Sequence, residues 1–353
     1  MSQAYQNNVS PQEAVGAARA SQMVKLSANE NPFGASPRAL AAVRNALPEL
    51  GLYPDGVDTR LKMALARLHG LNAEHFVTAN GGCDVLRLVA SAYLQKDSSI
   101  VVCRPTFPIY ERTAGQFGAE IIDAPLNADF APQPEMLRAA IKANTKVVYL
   151  CNPNNPTGTT FGQDTFDALL SAIPENVLIV YDEVYHHFVT DMELPDAKAA
   201  LRAGRNLLIV HSFSKAYGLA GLRMGYGIAR VDVVARLESQ ANPFPSSILA
   251  LAAAEAALSD DEHVRRTVQN NTRERASLSK NLTDMGLRVW DAQANFVLFE
   301  VPLPHTPQDI VTALQSQNVL IRPAYGLDNH LRVSVGLPEG NAEFIAALQK
   351  ILR

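Results

Sequence analysis

The stretch from His211 to Tyr226 reads HSFSKAYGLAGLRMGY and sets one lysine, Lys215, among serines, with an arginine, Arg223, further on. Four apolar residues, Leu207 to Val210, come directly before it and predict a buried strand. In open α/β sheets ligands bind at the carboxyl ends of strands, so this polar run is placed to bind an anion. Lysine attacks carbonyl groups when its surroundings favour the neutral amine, whereas arginine stays charged and suits phosphate. Lys215 is therefore the candidate reactive group; the alternative for a lysine in a polar loop is a solvated surface position.

The composition of the 353 residues is that of a globular protein long enough for about two domains, with 47% hydrophobic and 19% charged residues. The net charge of −4 and the lack of a long basic run argue against nucleic acid and favour a small-molecule partner. The three cysteines, Cys83, Cys103 and Cys151, include no CxxC pair and suit a reducing compartment. The first residues hold no apolar core of signal length, and no apolar run of about eighteen residues follows, so we predict a soluble, cytoplasmic protein without a membrane partner.

Apolar segments alternate with helical patterns along the first two thirds of the chain. This alternation predicts an α/β fold with a mostly parallel sheet flanked by helices. The predicted strands of this part are Phe76 to Ala79, Ser99 to Cys103, Glu120 to Asp123, Lys146 to Leu150, Val177 to Tyr181, Leu207 to Val210 and Met224 to Ala229.

The pattern changes after a proline-rich junction at residues 242–245. Strands become fewer and farther apart, which predicts a smaller α+β domain. They are placed at residues 288–290, 296–300 and 331–335. We expect a large domain at 45–242, a small domain formed by 1–44 and 243–353, and a polar, mobile segment up to about residue 23.

Two loops that follow predicted strands carry candidate ligands. Gly82 and Cys83 lie between a strand and a helix start, where free backbone amides can approach an anion. Many α/β turns of this kind bind nothing. Phe107 follows the next strand in a proline-pinned loop, from which its ring can stack on a flat ligand, although core packing is the usual role of a phenylalanine.

Further polar residues follow two more strands, and one lies inside a strand near the C-terminus. Asn155 lies in a loop with two Asn-Pro pairs, which is stiff and holds its amide in place; whether the bond before Pro156 is cis stays open. Asp182 and Tyr185 follow a buried strand, where a carboxylate is costly unless it meets a cation. Arg332 lies inside an alternating strand and needs an anion there, since a buried guanidinium is equally costly.

Together, these strand ends supply a glycine turn that can bind phosphate, an aromatic ring, an amide, a carboxylate with a tyrosine, and a lysine beside serines and an arginine. Pyridoxal phosphate (PLP) offers a matching phosphate, flat ring, phenolic oxygen, ring nitrogen and aldehyde. The chain resembles the fold-type I PLP-dependent aminotransferases, and among them the histidinol-phosphate aminotransferases. The resemblance extends over nearly the whole chain through the motifs NENPFG, YPD, NPNNPTG, YDEVY, SFSKAYGLAGLRMGY and LRVSVG.

The resemblance implies a role for each matched position. Lys215 would bond covalently to the cofactor aldehyde and move the proton, with Asp182 on the pyridinium nitrogen. The remaining cofactor contacts implied are Tyr185 and Asn155 on the ring oxygen, Phe107 on the ring face, and Gly82, Cys83, Ser212, Ser214, Arg223 and a second subunit's Tyr53 on the phosphate. The implied substrate contacts are Arg332, Arg322 and Asn29, without a metal ion. The cationic imine between Lys215 and the cofactor, together with Arg223, is expected to lower the pKa of Lys215 and of Tyr185.

The activity implied is transamination of histidinol phosphate with 2-oxoglutarate, in a homodimer that shares its active sites. An aromatic amino-acid aminotransferase is the alternative, because a guanidinium accepts a carboxylate as well as a phosphate. A decarboxylase of a phosphorylated amino acid and a non-catalytic sensor are further alternatives; the sensor lacks support because no basic DNA-binding footprint exists. The phosphate turn reads Gly-Gly-Cys-Asp from Gly81, where the family commonly reads Gly-Ala-Asp-Glu, which leaves the cofactor contacts intact but weakens the substrate assignment.

Overall fold

A computed structural model describes residues 23–352 of the chain. The predicted mobility of the opening segment concerns residues outside this range. The strands are β1 (Val24–Lys25), β2 (Phe76–Ala79), β3 (Ser99–Val102), β4 (Glu120–Asp123), β5 (Thr145–Cys151), β6 (Leu178–Asp182), β7 (Leu207–Ser212), β8 (Gly225–Ala229), β9 (Phe296–Glu300), β10 (Val319–Leu320), β11 (Arg322–Pro323) and β12 (His330–Ser334). The α-helices are α1 (Pro37–Ala46), α2 (Thr59–His69), α3 (Gly82–Tyr93), α4 (Ile109–Gln116), α5 (Pro134–Ala140), α6 (Gln163–Ala172), α7 (Ala197–Arg202), α8 (Val231–Glu238), α9 (Ile248–Ala257), α10 (Asp261–Asp284), α11 (Pro307–Gln315) and α12 (Pro338–Ile351).

One seven-stranded sheet forms the centre of the molecule, in the order β2-β8-β7-β6-β5-β3-β4. Strands β3 to β7 run parallel to one another. β8 is antiparallel to both of its neighbours. The chain returns from Ser212 to Gly225 without a crossover α-helix, and a direct return of this kind makes two paired strands antiparallel. The prediction of an α/β fold with a mostly parallel sheet is confirmed.

Helices cover both faces of this sheet. On one face α3, α4 and α8 pack against alternate strand residues such as Val180 and Val210. On the other face α1, α2, α6 and α9 pack against the residues between them, such as Ile179 and Ile209. Burial on both sides explains why these strands are continuous apolar runs. The division of the chain at residues 45 and 242 stays a prediction, and α1 spans the first of these positions.

A second hydrophobic core lies among the C-terminal elements, around Phe299 and Phe344. It contains a three-stranded sheet in the order β11-β12-β9, the parallel pair β1-β10, and α10, α11 and α12. The predicted strand at residues 288–290 is wrong, since Val289 forms only an isolated bridge with Phe299. The chain then leaves the sheet, and the Gln293 N–H donates to the Gly158 carbonyl at 2.7 Å. Within residues 23–352, no helix has the length and apolar character needed to cross a membrane.

Residues 26–36, called the strap below, connect β1 to α1 and cross the loop that follows β7. The Asn31 Nδ2 group donates to the Ala216 carbonyl at 2.8 Å. Gly218 has a φ of +70°, and a Cβ added to it would lie 1.9 Å from the Gly34 carbonyl oxygen. Only glycine therefore allows the strap to lie against the loop that carries the candidate lysine.

Replacing Gly218 with alanine should destabilise the protein, because the methyl group both forces a left-handed residue and meets the strap backbone. We expect a loss of about 2–4 kcal/mol in the free energy of unfolding, measured by urea denaturation. Gly221→Ala is the matched control, since no heavy atom of the described part of the chain lies within 4 Å of its added Cβ. A Gly218→Ala loss no larger than that of Gly221→Ala would contradict the close approach.

Candidate active site

The carboxyl ends of three neighbouring strands form the floor of the candidate site. Cys151, Asp182 and Val210 lie side by side in β5, β6 and β7. The loops that follow these strands therefore leave the sheet at the same edge. They carry Asn155, Tyr185 and Lys215, as the sequence predicts for ligands of an open α/β sheet.

The Lys215 amine lies beneath the strap. Its Nζ atom donates to the Asn29 carbonyl at 3.2 Å and to the Ala28 carbonyl at 3.4 Å. The same atom lies 5.5 Å from the centroid of the Tyr185 ring. Burial, and next the positive charge of Arg332, lower the pKa of Lys215 to about 8. About a tenth of the amine is therefore neutral at pH 7, and the neutral amine is the form that attacks a carbonyl carbon.

Asp182 is 3% exposed and has no lysine or arginine within ion-pair distance among the described residues. Its Oδ2 atom accepts a hydrogen bond from the Tyr110 hydroxyl at 2.7 Å, and its Oδ1 atom accepts one from the Val184 N–H at 3.2 Å. Burial raises the pKa of Asp182 to about 6, although both hydrogen bonds act to lower it. A buried carboxylate of this kind is suited to pair with a cationic group of a ligand.

The turn before α3 is packed against β8. A Cβ added to Gly225 would lie 2.5 Å from the Gly82 nitrogen, so only a glycine fits there. Gly81, at a φ of +86°, leaves room for the Arg223 guanidinium, whose Nη2 atom would lie 2.4 Å from an added Cβ. The first amides of α3, from Gly82 and Cys83, thus lie beside a guanidinium. This combination of free N–H groups and positive charge suits a phosphate.

The two serines of the lysine loop lie at the same turn. The Ser214 N–H donates to the Ser212 Oγ at 3.1 Å. The Arg223 Nη1 group donates to the Ser214 Oγ at 3.4 Å and to the Ala220 carbonyl at 2.8 Å. Arg223 itself has a φ of 56°, a left-handed backbone conformation that is uncommon for residues other than glycine.

Two arginines face each other across the strand pair β11 and β12, where Arg322 and Arg332 are register partners. Arg332 is 3% exposed, donates to the Asn155 Oδ1 at 2.5 Å and to the Ser27 carbonyl at 3.2 Å. The Arg322 Nη1 group donates to the Tyr325 hydroxyl. The Nε atoms of both guanidiniums are buried and have no hydrogen-bond partner among the described residues. Two adjacent cations with unused donors provide a site for an anionic ligand.

Asn29 joins the lysine, the tyrosine and the C-terminal sheet. Its Nδ2 group donates to the Tyr185 hydroxyl at 3.1 Å, and its Oδ1 atom accepts from the Ser334 hydroxyl at 2.9 Å. Its carbonyl accepts from the Asn295 Nδ2 at 3.0 Å as well as from Lys215. Burial raises the pKa of Tyr185, against the opposing charge of Arg332. Here desolvation of the phenolate outweighs the attraction of Arg332, and the lowering expected from a cationic bond between Lys215 and the cofactor stays a prediction.

Two predicted cofactor residues lie at the margins of this arrangement. The Phe107 ring is perpendicular to the Tyr110 ring, with 5.8 Å between their centroids, and so lies next to the tyrosine that contacts Asp182. Tyr53 is 81% exposed and stacks on Phe244 at 4.6 Å. Within one chain Tyr53 lies on a groove of about 950 Å³ between α1, α2 and α9. The bond before Pro156, which the sequence left open, is cis.

Three residues of the site have no assigned role in the sequence: Tyr110, Asn295 and Ser334. Tyr110 lies three residues after Phe107, at the start of α4. Its position shortly after a predicted strand is the one weak indication in the sequence that it belongs to the site. Its partner Asp182 is 72 residues away in the chain, and nothing in either segment indicates the pairing. Asn295 and Ser334 flank strands of the C-terminal sheet and reach the site only through the strap.

The chain matches the family Aminotransferase class I and II over residues 21–348. It is 41% identical to a histidinol-phosphate aminotransferase of Symbiobacterium thermophilum, over 94% of this chain and 91% of that protein. It is 42% identical to histidinol-phosphate aminotransferase 2 of Pseudomonas fluorescens, over 94% and 89% of the two chains. The crystal structure of histidinol-phosphate aminotransferase from Sinorhizobium meliloti in complex with pyridoxal-5'-phosphate superposes with a TM-score of 0.90 at 27% identity, covering 100% of this chain and 97% of that one.

The fold and these similarities agree over nearly the entire chain. The predicted fold-type I architecture is confirmed, with the large mixed sheet and its flanking helices in place. The chain therefore belongs to the class I and II aminotransferases and, within them, to the histidinol-phosphate aminotransferase family.

Proposed function

We propose that the protein transfers an amino group between histidinol phosphate and 2-oxoglutarate with pyridoxal phosphate as cofactor. One observation carries this proposal: Lys215 has a lowered pKa and lies in the same site as Arg322 and Arg332, whose Nε donors have no partner within residues 23–352. Family membership and identities near 40% with histidinol-phosphate aminotransferases support it.

The residues present fit PLP in charge and in hydrogen-bonding chemistry. Asp182 offers a buried carboxylate that lacks a cationic partner among the described residues and would pair with the ring nitrogen. The α3 amides and Arg223 would hold the phosphate, with Ser212 and Ser214 beside them. Phe107 would lie against the ring, and Tyr185 with Asn155 would bond the ring oxygen. Bound PLP supplies an electron sink that acidifies the substrate Cα–H bond.

Each side chain then has a defined task. The carbonyl groups of Ala28 and Asn29 orient the Lys215 Nζ, which accepts a proton and returns it. The ionised Asp182 carboxylate keeps the ring nitrogen protonated. The strap lies over Lys215 and limits its access to water, since its backbone contacts the amine directly.

Arg332 and Arg322 would bind the acidic end of the substrate, with Asn29 close by. Two guanidiniums suit a phosphate monoester, which carries nearly two negative charges at neutral pH, better than a single carboxylate. Phenylalanine, the substrate of the aromatic alternative, carries one carboxylate and requires only one of them. The arginine pair therefore favours histidinol phosphate.

We propose a homodimer in which Tyr53 reaches the phosphate of the neighbouring subunit. Large apolar side chains cluster on the surface between residues 40 and 68, and clustered exposure of this kind is typical of an interface. They are Leu40, Leu47, Leu50, Leu52, Tyr53, Val57, Met63 and Leu68.

The free cysteines Cys83, Cys103 and Cys151 fit a cytoplasmic location, which we propose as well.

The rate at which the apoprotein captures PLP covalently should report the lowered pKa of Lys215. Below pH 8 only a fraction of the amine is neutral, so the rate should rise about tenfold per pH unit from pH 6.5 and level off above about 8. Stopped-flow absorbance measures it. Lys215→Ala should show no capture, whereas Lys280→Ala, on the exposed side of α10, should match the wild type. A rate that still rises at pH 10 would refute the shift.

Arg322→Gln tests the substrate. We expect kcat/KM for histidinol phosphate to fall about a hundredfold, because one charged hydrogen-bonding group to the phosphate is lost, while turnover of phenylalanine changes less than about threefold. Arg273→Gln, whose side chain is 67% exposed on α10, is the control. Wild-type protein that prefers phenylalanine would indicate an aromatic aminotransferase. Release of carbon dioxide without an amino acceptor would indicate a decarboxylase.

Mixing two inactive variants tests the shared site. In a hybrid of Tyr53→Ala and Lys215→Ala subunits, one site keeps both residues if Tyr53 serves the neighbouring subunit. After unfolding and joint refolding, random pairing should restore about a quarter of wild-type activity. Activity equal to the mean of the two separately refolded variants would show that Tyr53 serves its own chain or no site.

A further inference from the structure

Tyr110 is a fully buried tyrosine whose hydroxyl contacts a predicted catalytic residue. It lies in the first turn of α4, is 0% exposed, and donates to the Asp182 Oδ2 at 2.7 Å. Helix α4 starts directly after the loop of Phe107, whose ring lies edge-on to Tyr110. One short segment therefore places both the Phe107 ring and the Tyr110 hydroxyl near the end of β6.

The hydrogen bond favours one charge state of Asp182. An ionised carboxylate only accepts hydrogen bonds, and here each oxygen accepts one, from Tyr110 and from the Val184 N–H. Burial raises the pKa of Tyr110, so its hydroxyl remains a donor. Burial and the neighbouring Glu183 oppose the charge on Asp182. These two hydrogen bonds are the largest contributions that retain it, ahead of the positive charge of Lys215.

The Tyr110 ring packs against the ring of Tyr149 in β5. The two rings stack with 4.6 Å between centroids and an interplanar angle of 14°. The Tyr149 hydroxyl is buried and has no hydrogen-bond partner among the described residues. Both rings are buried and stacked, but the hydroxyl of Tyr110 contacts Asp182 and that of Tyr149 does not.

We propose that Tyr110 is a positioning residue for the aminotransferase reaction, which holds Asp182 charged and aimed at the ring nitrogen of the cofactor. The inference rests on the proposed function, in which Asp182 pairs with that nitrogen. Tyr110 acts only through Asp182. A role confined to core packing would make its hydroxyl as dispensable as that of Tyr149.

The test is the binding of pyridoxine 5'-phosphate to the apoprotein. This analogue lacks the aldehyde, so its affinity does not depend on Lys215 or on turnover. Tyr110→Phe should weaken binding at pH 7 by about tenfold or more, as expected for loss of a hydrogen bond to a charged group. It should also raise the pH below which binding is lost by about one unit. Tyr149→Phe, the same chemical change on the neighbouring ring, should alter the affinity less than twofold. Fluorescence titration from pH 5 to 8 measures both quantities.

A second comparison separates positioning from packing. In an Asp182→Asn background, Tyr110→Phe and Tyr149→Phe should behave alike, because the group through which Tyr110 acts is gone. If Tyr110→Phe does not fold, 3-fluorotyrosine placed at position 110 keeps the ring and strengthens the donor. It should move the acid limit of binding to lower pH. Equal affinities and equal acid limits for the two phenylalanine variants, or no shift with fluorotyrosine, would overturn the inference. Wild-type protein that neither binds the analogue nor transaminates would instead overturn the proposed function.

Discussion

The rest of the site depends on one constraint, the burial of an acid and an amine at the same sheet edge without a direct ion pair between them among the described residues. The charges of Asp182 and Lys215 are both destabilised by burial, and the attraction between them is too weak to offset it. A direct ion pair would remove that cost but would also fill the space between them. Asp182 ends β6 and Lys215 lies in the loop after the neighbouring parallel strand β7, so space remains between them for a ligand that bonds to both.

The substrate side of the site is built by a different part of the chain. Arg322 and Arg332 are held by a small antiparallel sheet, whereas Lys215 and Asp182 belong to the large one. The strap connects the two, because Asn29 bonds to Ser334 in the small sheet and supports Lys215 in the other. Arg332 in turn reaches across to Asn155. The two sets of functional groups are therefore aligned by side-chain hydrogen bonds as well as by backbone connectivity.

Much of this arrangement is predictable from the sequence, because the apolar runs of the strands are continuous and the polar motifs follow directly. Asp182 is the last residue of β6 and Lys215 lies three positions beyond β7, so the prediction of the strand ends places both. The antiparallel course of β8 is not encoded in its own residues but in the missing crossover helix before it. The wrong prediction of a strand at 288–290 shows the limit of local reading: the segment bonds to β9 through the Trp290 N–H and the Arg288 carbonyl, but the pairing ends at a single bridge, and nothing in its own residues indicates that.

Contacts between distant segments had no sequence signal. The pair formed by Tyr110 and Asp182, and the contact of Arg332 with Asn155, follow from how α4 and the small sheet pack on the large one. The strap illustrates a practical consequence of such packing. Its residues look like an expendable N-terminal loop, yet Asn29 and Asn31 form part of the wall around the lysine. A shortened expression clone that starts beyond residue 36 would lack that wall, and its loss of activity would say nothing about the fold of the remaining chain.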